Sequence, residues 1–299
     1  EMGVLAINGG KRLKVTDEVI VPSWSWVASG FAVNNAGGTP IWCDVNEYGV
    51  PYIEDIKSRI TPNTKAIILV HQMGIPCDLD AFKELNIPII EDSACALGSE
   101  YKNKKIGNSD NIVTYSFQAR KCLTTGEGGA FFTNNKALYD FMRSTYSHGM
   151  TSERYIHDTL AYNYRMTNIQ AGFLYDQLCD IRNILELKEN IFKNYDELMK
   201  KLFENKKIKK YSNEKDTTPG PWMYCILVDG IDFLKFEKFM DQKLVQVRPF
   251  FYDITKHSHL KHITNNHKEC TIFKHGVMLP SYPGLEKEKQ EYIGNCIKE

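Results

Sequence analysis

Five short apolar runs crowd the first half of the chain, and their apolar residues are continuous rather than alternating. EVIVPS (18–23), KAIILVHQMG (65–74), IPIIEDSA (87–94), DNIVTYSFQ (110–118) and GGAFFTN (128–134) are rich in Val, Ile, Phe and Tyr, and Gly, Pro, Asn or Asp bound most of them. Such runs read as strands. A strand without polar alternation is buried on both faces, which is the pattern of a mainly parallel sheet sandwiched by helices. The expected fold class is therefore α/β. In sheets of this kind, ligands gather in the loops at the carboxyl ends of the strands.

The pattern changes after Asn168. Ile169, Phe173, Leu174, Leu178, Ile181, Leu185, Phe192, Tyr195, Leu198, Met199 and Leu202 recur at helical spacing, which predicts one long helix or two joined ones. The polar stretch KKIKKYSNEKDTTPGP (206–221) reads as a loop. Beyond it, WMYCILVDG reads as a strand, DFLKFEKFMDQKL as a helix and VQVRPFF as a strand, which together make a smaller C-terminal α+β unit. A chain of 299 residues has room for two domains. The expected division is a large domain over 1–180 and a small domain with the linking helix over 181–299.

Lys+Arg and Asp+Glu both number 37, so no basic excess points to nucleic acid or an anionic membrane. No apolar run is long enough to span a bilayer, and the first residues lack a signal-peptide layout. The expected location is the cytoplasm. The eight cysteines include no C-x-x-C pair and are read as free thiols.

Two strand ends carry candidate chemistry. The run Ile87 to Ile90 ends in Glu91 and Asp92. A lone Asp there most often caps a helix or forms a turn, but a buried one requires a counter-charge. Ser116 follows another run, Lys121 stands five residues later, and Gly126, Gly128 and Gly129 come next. A lone Lys is ordinarily a solvated surface residue, and glycines ordinarily supply turns. No dinucleotide or P-loop fingerprint is present. Taken together, a carboxylate at one strand end and a lysine beyond another are what pyridoxal phosphate (PLP) chemistry needs. The lysine condenses with the cofactor aldehyde, and the carboxylate keeps the ring nitrogen protonated so that the ring accepts electrons.

Five ordered blocks then resemble the DegT/StrS-type sugar aminotransferases, which are fold-type-I PLP enzymes: DEVIVPSWSWVAS, TPNTKAIILVHQMG, IPIIEDSACALGSEYKNKKIG, TYSFQARKCLTTGEGGAFFTN and YNYRMTNIQAG. The resemblance is strong from Asp17 to about Gln177 and thinner beyond. It implies that Lys121 bears the cofactor and that Asp92 faces its ring nitrogen. It implies that Trp26 stacks on the ring, as a flat π-face suits, and that Ser116 donates to the cofactor phosphate. Asn163 would reach that phosphate from a neighbouring subunit, which implies a homodimer. The implied reaction takes an amino group from glutamate or glutamine, with Lys121 as the proton shuttle, and gives it to a keto-sugar, nucleotide-linked in most of the family, or to a keto-cyclitol.

Two departures from the family pattern stand out. Cys95 occupies the position where Gln or His usually bonds the ring oxygen, and a thiol is a weak donor. LAINGG (5–10) resembles the family's opening, yet VTDEVIVPS follows almost at once. On this reading an intervening segment is missing, including the turn that opens a phosphate-holding helix. These departures keep open a catalytically inactive binding or regulatory homologue. A PLP-dependent sugar dehydratase would carry histidine in place of Lys121. His257, His259, His262, His267, Cys270 and His275 cluster near the C-terminus. Their spacing fits no closed zinc pattern, so no metal is expected.

Overall fold

A computed structural model describes residues 1–260 and 267–299. A six-stranded sheet runs in the order Thr39–Cys43, Glu18–Pro22, Thr64–Val70, Ile89–Asp92, Ile112–Ser116, Gly129–Phe132. All neighbours pair in parallel except the last pair, which is antiparallel. The apolar runs of the parallel strands are buried on both sides, as expected, but Gly129–Phe132, at the antiparallel edge, is not buried. Val19, Val21, Ile68, Val70, Ile90 and Ile112 face one core with the helices Met2–Ile7, Ala28–Ala36 and Lys136–Tyr146. Ile20, Ile67, Leu69 and Ile89 face the other, against Ile56, Leu79 and Phe82 from two short helices. The mainly parallel α/β sandwich is thus the observed fold.

Several elements differ from the sequence reading. The strand Thr39–Cys43 went unread. It lies at the sheet edge, where Pro40 costs no ladder bond and the burial pattern is interrupted. The helical run after Asn168, by contrast, takes the second of its two expected forms: two joined helices, Asn168–Cys179 and Ile181–Glu204, meeting at Asp180. The capping box at Thr167 and Gln170 starts the first of them. The stretch 206–221 is not wholly loop, since Lys209–Lys210 and Thr217–Thr218 form short strands.

The first three residues of LAINGG, 5–7, end a helix, Met2–Ile7, seated on the sheet with Gly3 against Ile90 and Ile112, and Asn8 caps it. Residues 8–17 carry the chain from it into the first strand. That link is shorter than the ~12–15 residues at which structureless loops become unusual. Gly37 ends the next helix in a left-handed conformation (φ 98°), where a Cβ would come to 2.5 Å from the Leu13 carbonyl oxygen. This is a turn only glycine fits.

A second, antiparallel sheet runs Arg248–Pro249, Gly276–Leu279, Tyr224–Leu227, Lys209–Lys210. The expected VQVRPFF strand shrinks to two residues. Ile191, Tyr195 and Met199 of the long helix pack on this sheet with Val277, Leu279 and Ile293. Among the described residues no helix is long and apolar enough to cross a membrane.

Candidate active site

Asp92 is the last residue of the Ile89–Asp92 strand, so its carboxylate emerges where parallel sheets bind ligands. Ser29 Oγ donates to its Oδ2 at 2.8 Å and the Ala94 N–H to its Oδ1 at 3.1 Å. Among the described residues no cationic side chain forms an ion pair with it. The neighbouring Glu91 points to the opposite face and is fully buried with His71. The Cys77 N–H donates to His71 Nδ1 at 3.0 Å, so Nε2 carries the hydrogen and donates to Glu91 Oε2, also at 3.0 Å. Ser109 and Asn111 donate to Glu91 Oε1 at 2.5 and 2.6 Å. Burial opposes ionisation of Glu91, but the hydrogen bonds it accepts from His71, Ser109 and Asn111 outweigh it and hold the carboxyl below its usual range. The His71 N–H also donates to the Asp92 carbonyl oxygen at 3.0 Å, so this buried pair anchors the strand end that bears Asp92.

Lys121 lies in the loop after Ile112–Ser116. That loop closes on itself through Phe117 N–H to the Gly128 carbonyl (2.8 Å) and Thr125 N–H to the Phe117 carbonyl (2.9 Å). Gln177 clamps it from the adjoining helix, accepting from Thr124 N–H at 2.9 Å and donating to the Thr124 carbonyl at 2.7 Å. Lys121 Nζ stands 3.4 Å from Cys95 Sγ and 4.5 Å from the ring centre of Trp222. Burial pushes the Cys95 thiol up to about 12; Lys121 pulls it down and the Asp92 charge pushes it further up. One thiol thus feels both groups.

Trp26 is 56% exposed. Its ring centre is 5.4 Å from that of Phe251, which lies 6.2 Å from Trp222, so two aromatic rings, Phe251 and Trp222, connect Trp26 with Lys121. The Ser116 hydroxyl accepts from the Gln118 N–H at 3.3 Å. Asn163 is exposed, and its backbone pairs with Ser147. The structure therefore brings Lys121, Cys95 and Asp92 together and links Trp26 to them through rings. No hydrogen bond among the described residues joins Ser116 or Asn163 to that group. Ser29, Trp222 and Gln177 are functional neighbours that the sequence reading does not single out: Ser29 ends the DEVIVPSWSWVAS block, but nothing in that block announces its bond to Asp92, and Trp222 and Gln177 lie outside the five blocks.

Near the C-terminus, His267 Nε2 bonds Asp253 Oδ1 at 3.3 Å, and the Cys270 N–H donates to Asp253 Oδ2 at 2.9 Å. Among the described residues no group of three or more His, Cys, Asp or Glu side chains could hold a metal ion. His262 lies outside the described residues.

A mainly parallel sheet sandwiched by helices, with a lysine and a carboxylate beyond the carboxyl ends of its strands, is the architecture of the fold-type-I PLP-dependent transferases. The chain belongs to the DegT/DnrJ/EryC1/StrS aminotransferase family, whose profile matches residues 4–298, and it is an aminotransferase. It is 36% identical over 291 residues to a GDP-perosamine synthase of Escherichia coli O157:H7, covering 95% of this chain and 79% of that protein. Over 313 residues it is 32% identical to a GDP-perosamine synthase of Vibrio cholerae, covering 99% and 82%. Two solved structures share its fold. Helicobacter pylori PseC, an aminotransferase involved in the biosynthesis of pseudaminic acid, superposes with a TM-score of 0.89 at 23% identity, covering 99% of this chain and 83% of that one. S. venezuelae DesV, solved in complex with a ketimine intermediate, gives 0.87 at 24%, covering 99% and 81%.

Proposed function

We propose that the chain binds pyridoxal phosphate between Lys121 and Asp92. On this reading it transfers an amino group from glutamate or glutamine to a keto-sugar carried on a nucleotide, or to a keto-cyclitol. The observation that carries the reading is the approach of Lys121 Nζ to within 3.4 Å of Cys95 Sγ, in the turn that begins at Asp92 and is tied to it by the Ala94 N–H. The residues suit the cofactor: a part-buried carboxylate with two hydrogen-bond donors and, among the described residues, no cationic side chain in an ion pair with it is suited to a protonated pyridine nitrogen.

Bound pyridoxal phosphate supplies the aldehyde carbon that carries nitrogen and the ring that takes up electrons. Asp92 holds the proton on the ring nitrogen, and Ser29 keeps that carboxylate oriented. The Lys121 amine takes the proton from the donor carbon and returns it, as a positioned general base and acid. Trp26 offers its exposed face for stacking, and Ser116 a hydroxyl for the phosphate. Cys95 supplies only a weak S–H where the family uses Gln or His. Residues 1–180 would form the cofactor-binding domain, and 181–299 the small domain with its linking helix.

Asn163 would act from a partner copy. The Asn168–Cys179 helix buries none of its residues, and Ile169, Phe173 and Tyr175 are 75%, 62% and 72% exposed. An uncovered apolar face of this kind beside Asn163 supports a homodimer. The presence of Lys121 speaks against the dehydratase reading. Incubating the protein with PLP, glutamate and either a GDP-linked keto-hexose or a free keto-cyclitol, followed by mass measurement, tests the function. An amino product from one acceptor is expected. A deoxy product, or no product from either, would overturn it.

A further inference from the structure

Lys121 Nζ meets Cys95 Sγ at 3.4 Å and the ring of Trp222 at 4.5 Å from its centre. Cys95 gives an ammonium little: its thiol, pushed up by burial, stays neutral. Among the described residues no carboxylate forms an ion pair with Lys121. The electron-rich face of Trp222 is therefore the strongest electrostatic partner in reach.

Trp222 is firmly placed. It is 6% exposed, and its Nε1–H donates to the Arg120 carbonyl at 3.2 Å, directly before Lys121 in the chain. The segment leading to it is pressed against loops of the parallel sheet. The Gly220 N–H donates to Ser99 Oγ at 2.8 Å, and a Cβ on Gly220 would stand 2.4 Å from the Leu97 carbonyl oxygen. Cys122 Sγ reaches the Pro221 carbonyl at 3.6 Å. A side chain from the segment that enters the second sheet is thus built in under the lysine.

We propose that Trp222 is the seat of the Lys121 amino group whenever that group is not bonded to cofactor. It is a positioning residue that keeps a long, rotamer-rich side chain at its working place while the cofactor carries the amine. The proposal rests on the reading of Lys121 as the cofactor-bearing lysine, but its test does not need cofactor.

The cofactor-free protein is pulsed with acetic anhydride, and the Lys121 peptide is quantified by mass spectrometry. An indole face that holds the amino group competes with the reagent for it, so Trp222→Leu should speed acetylation of Lys121 about fivefold. Trp222→Phe, which keeps a π-face, should stay within about twofold of the unsubstituted protein. Equal rates in all three proteins would overturn the proposal. Should the Leu variant fail to fold, indole emission decides. Lys121→Met should change the emission of the unsubstituted chain and leave that of Trp222→Phe unchanged; no change in either background would also overturn it. Added PLP is a separate arm: if the cofactor fails to attach to Lys121, the functional reading falls while the seat still stands on the labelling rates.

Discussion

The amine of Lys121 stands 3.4 Å from the sulfur of Cys95, where relatives of this type carry a stronger donor. A thiol pushed up to about 12 by burial remains S–H at every working pH and contributes one weak hydrogen bond. Cys95→Ala should therefore change kcat by less than about threefold, as expected for a donor this weak. Steady-state kinetics with a fixed keto-sugar check this, and a loss of two orders of magnitude would show that the sulfur matters more than its chemistry suggests.

The same burial governs the other thiols. Of eight free cysteines, only Cys179 is exposed, and burial also pushes Cys270 up to about 12. Because the thiolate is the reacting form, native protein treated briefly with iodoacetamide at mildly alkaline pH should be modified at Cys179 alone, and unfolded protein at every cysteine. Peptide mapping reads the outcome directly.

Glu91 makes an acid-side prediction. Its folded carboxyl titrates below the usual value, so the unfolded chain binds the proton more readily. The stabilisation is present in full above the unfolded pKa and fades as pH falls through the folded one. Glu91→Gln should cost about 2 kcal/mol near neutrality, the scale of hydrogen bonds to a charged group. That difference should shrink as pH drops below about 4.5. Denaturant unfolding of both proteins from neutral to acid pH measures it, and a difference independent of pH would contradict the ionised state of Glu91.

How much of this was readable in advance depended on range along the chain. The strands bearing Asp92 and leading to Lys121 were visible because burial on both faces leaves an unbroken apolar run. The edge strand at Thr39–Cys43 was invisible because Pro40 is tolerated there and its burial is broken. Lys121 and Asp92 were legible because each sits beside a strong local motif. Trp222 and Lys121 are separated by about a hundred residues and meet through tertiary contacts: Gly220 on Ser99 and Gly74, Trp222 on Arg120 and Cys122 on Pro221. Helix Met2–Ile7 was missed because six residues are too few for a helical period to show.

Lys188 gives a base-side prediction. It is buried, with Nζ donating to the Ser281 carbonyl at 2.5 Å. Burial lowers its pKa, with Cys122 opposing. The unfolded chain holds this proton more tightly, so the penalty for burying the charge is greatest below the folded pKa and is relieved as pH rises toward the unfolded value near 10.4. Lys188→Met should remove that gain. The urea midpoint of the unsubstituted protein should rise relative to the variant between neutral and alkaline pH, and parallel curves would show that the amine is solvated.

The most direct measurement is a PLP titration of the unsubstituted protein beside Lys121→Ala, followed by absorbance at the visible edge. The band of cofactor attached to lysine should grow in and saturate in the first and be absent in the second. A band that survives the substitution, or one that never forms in the unsubstituted protein, would show that position 121 does not carry the cofactor.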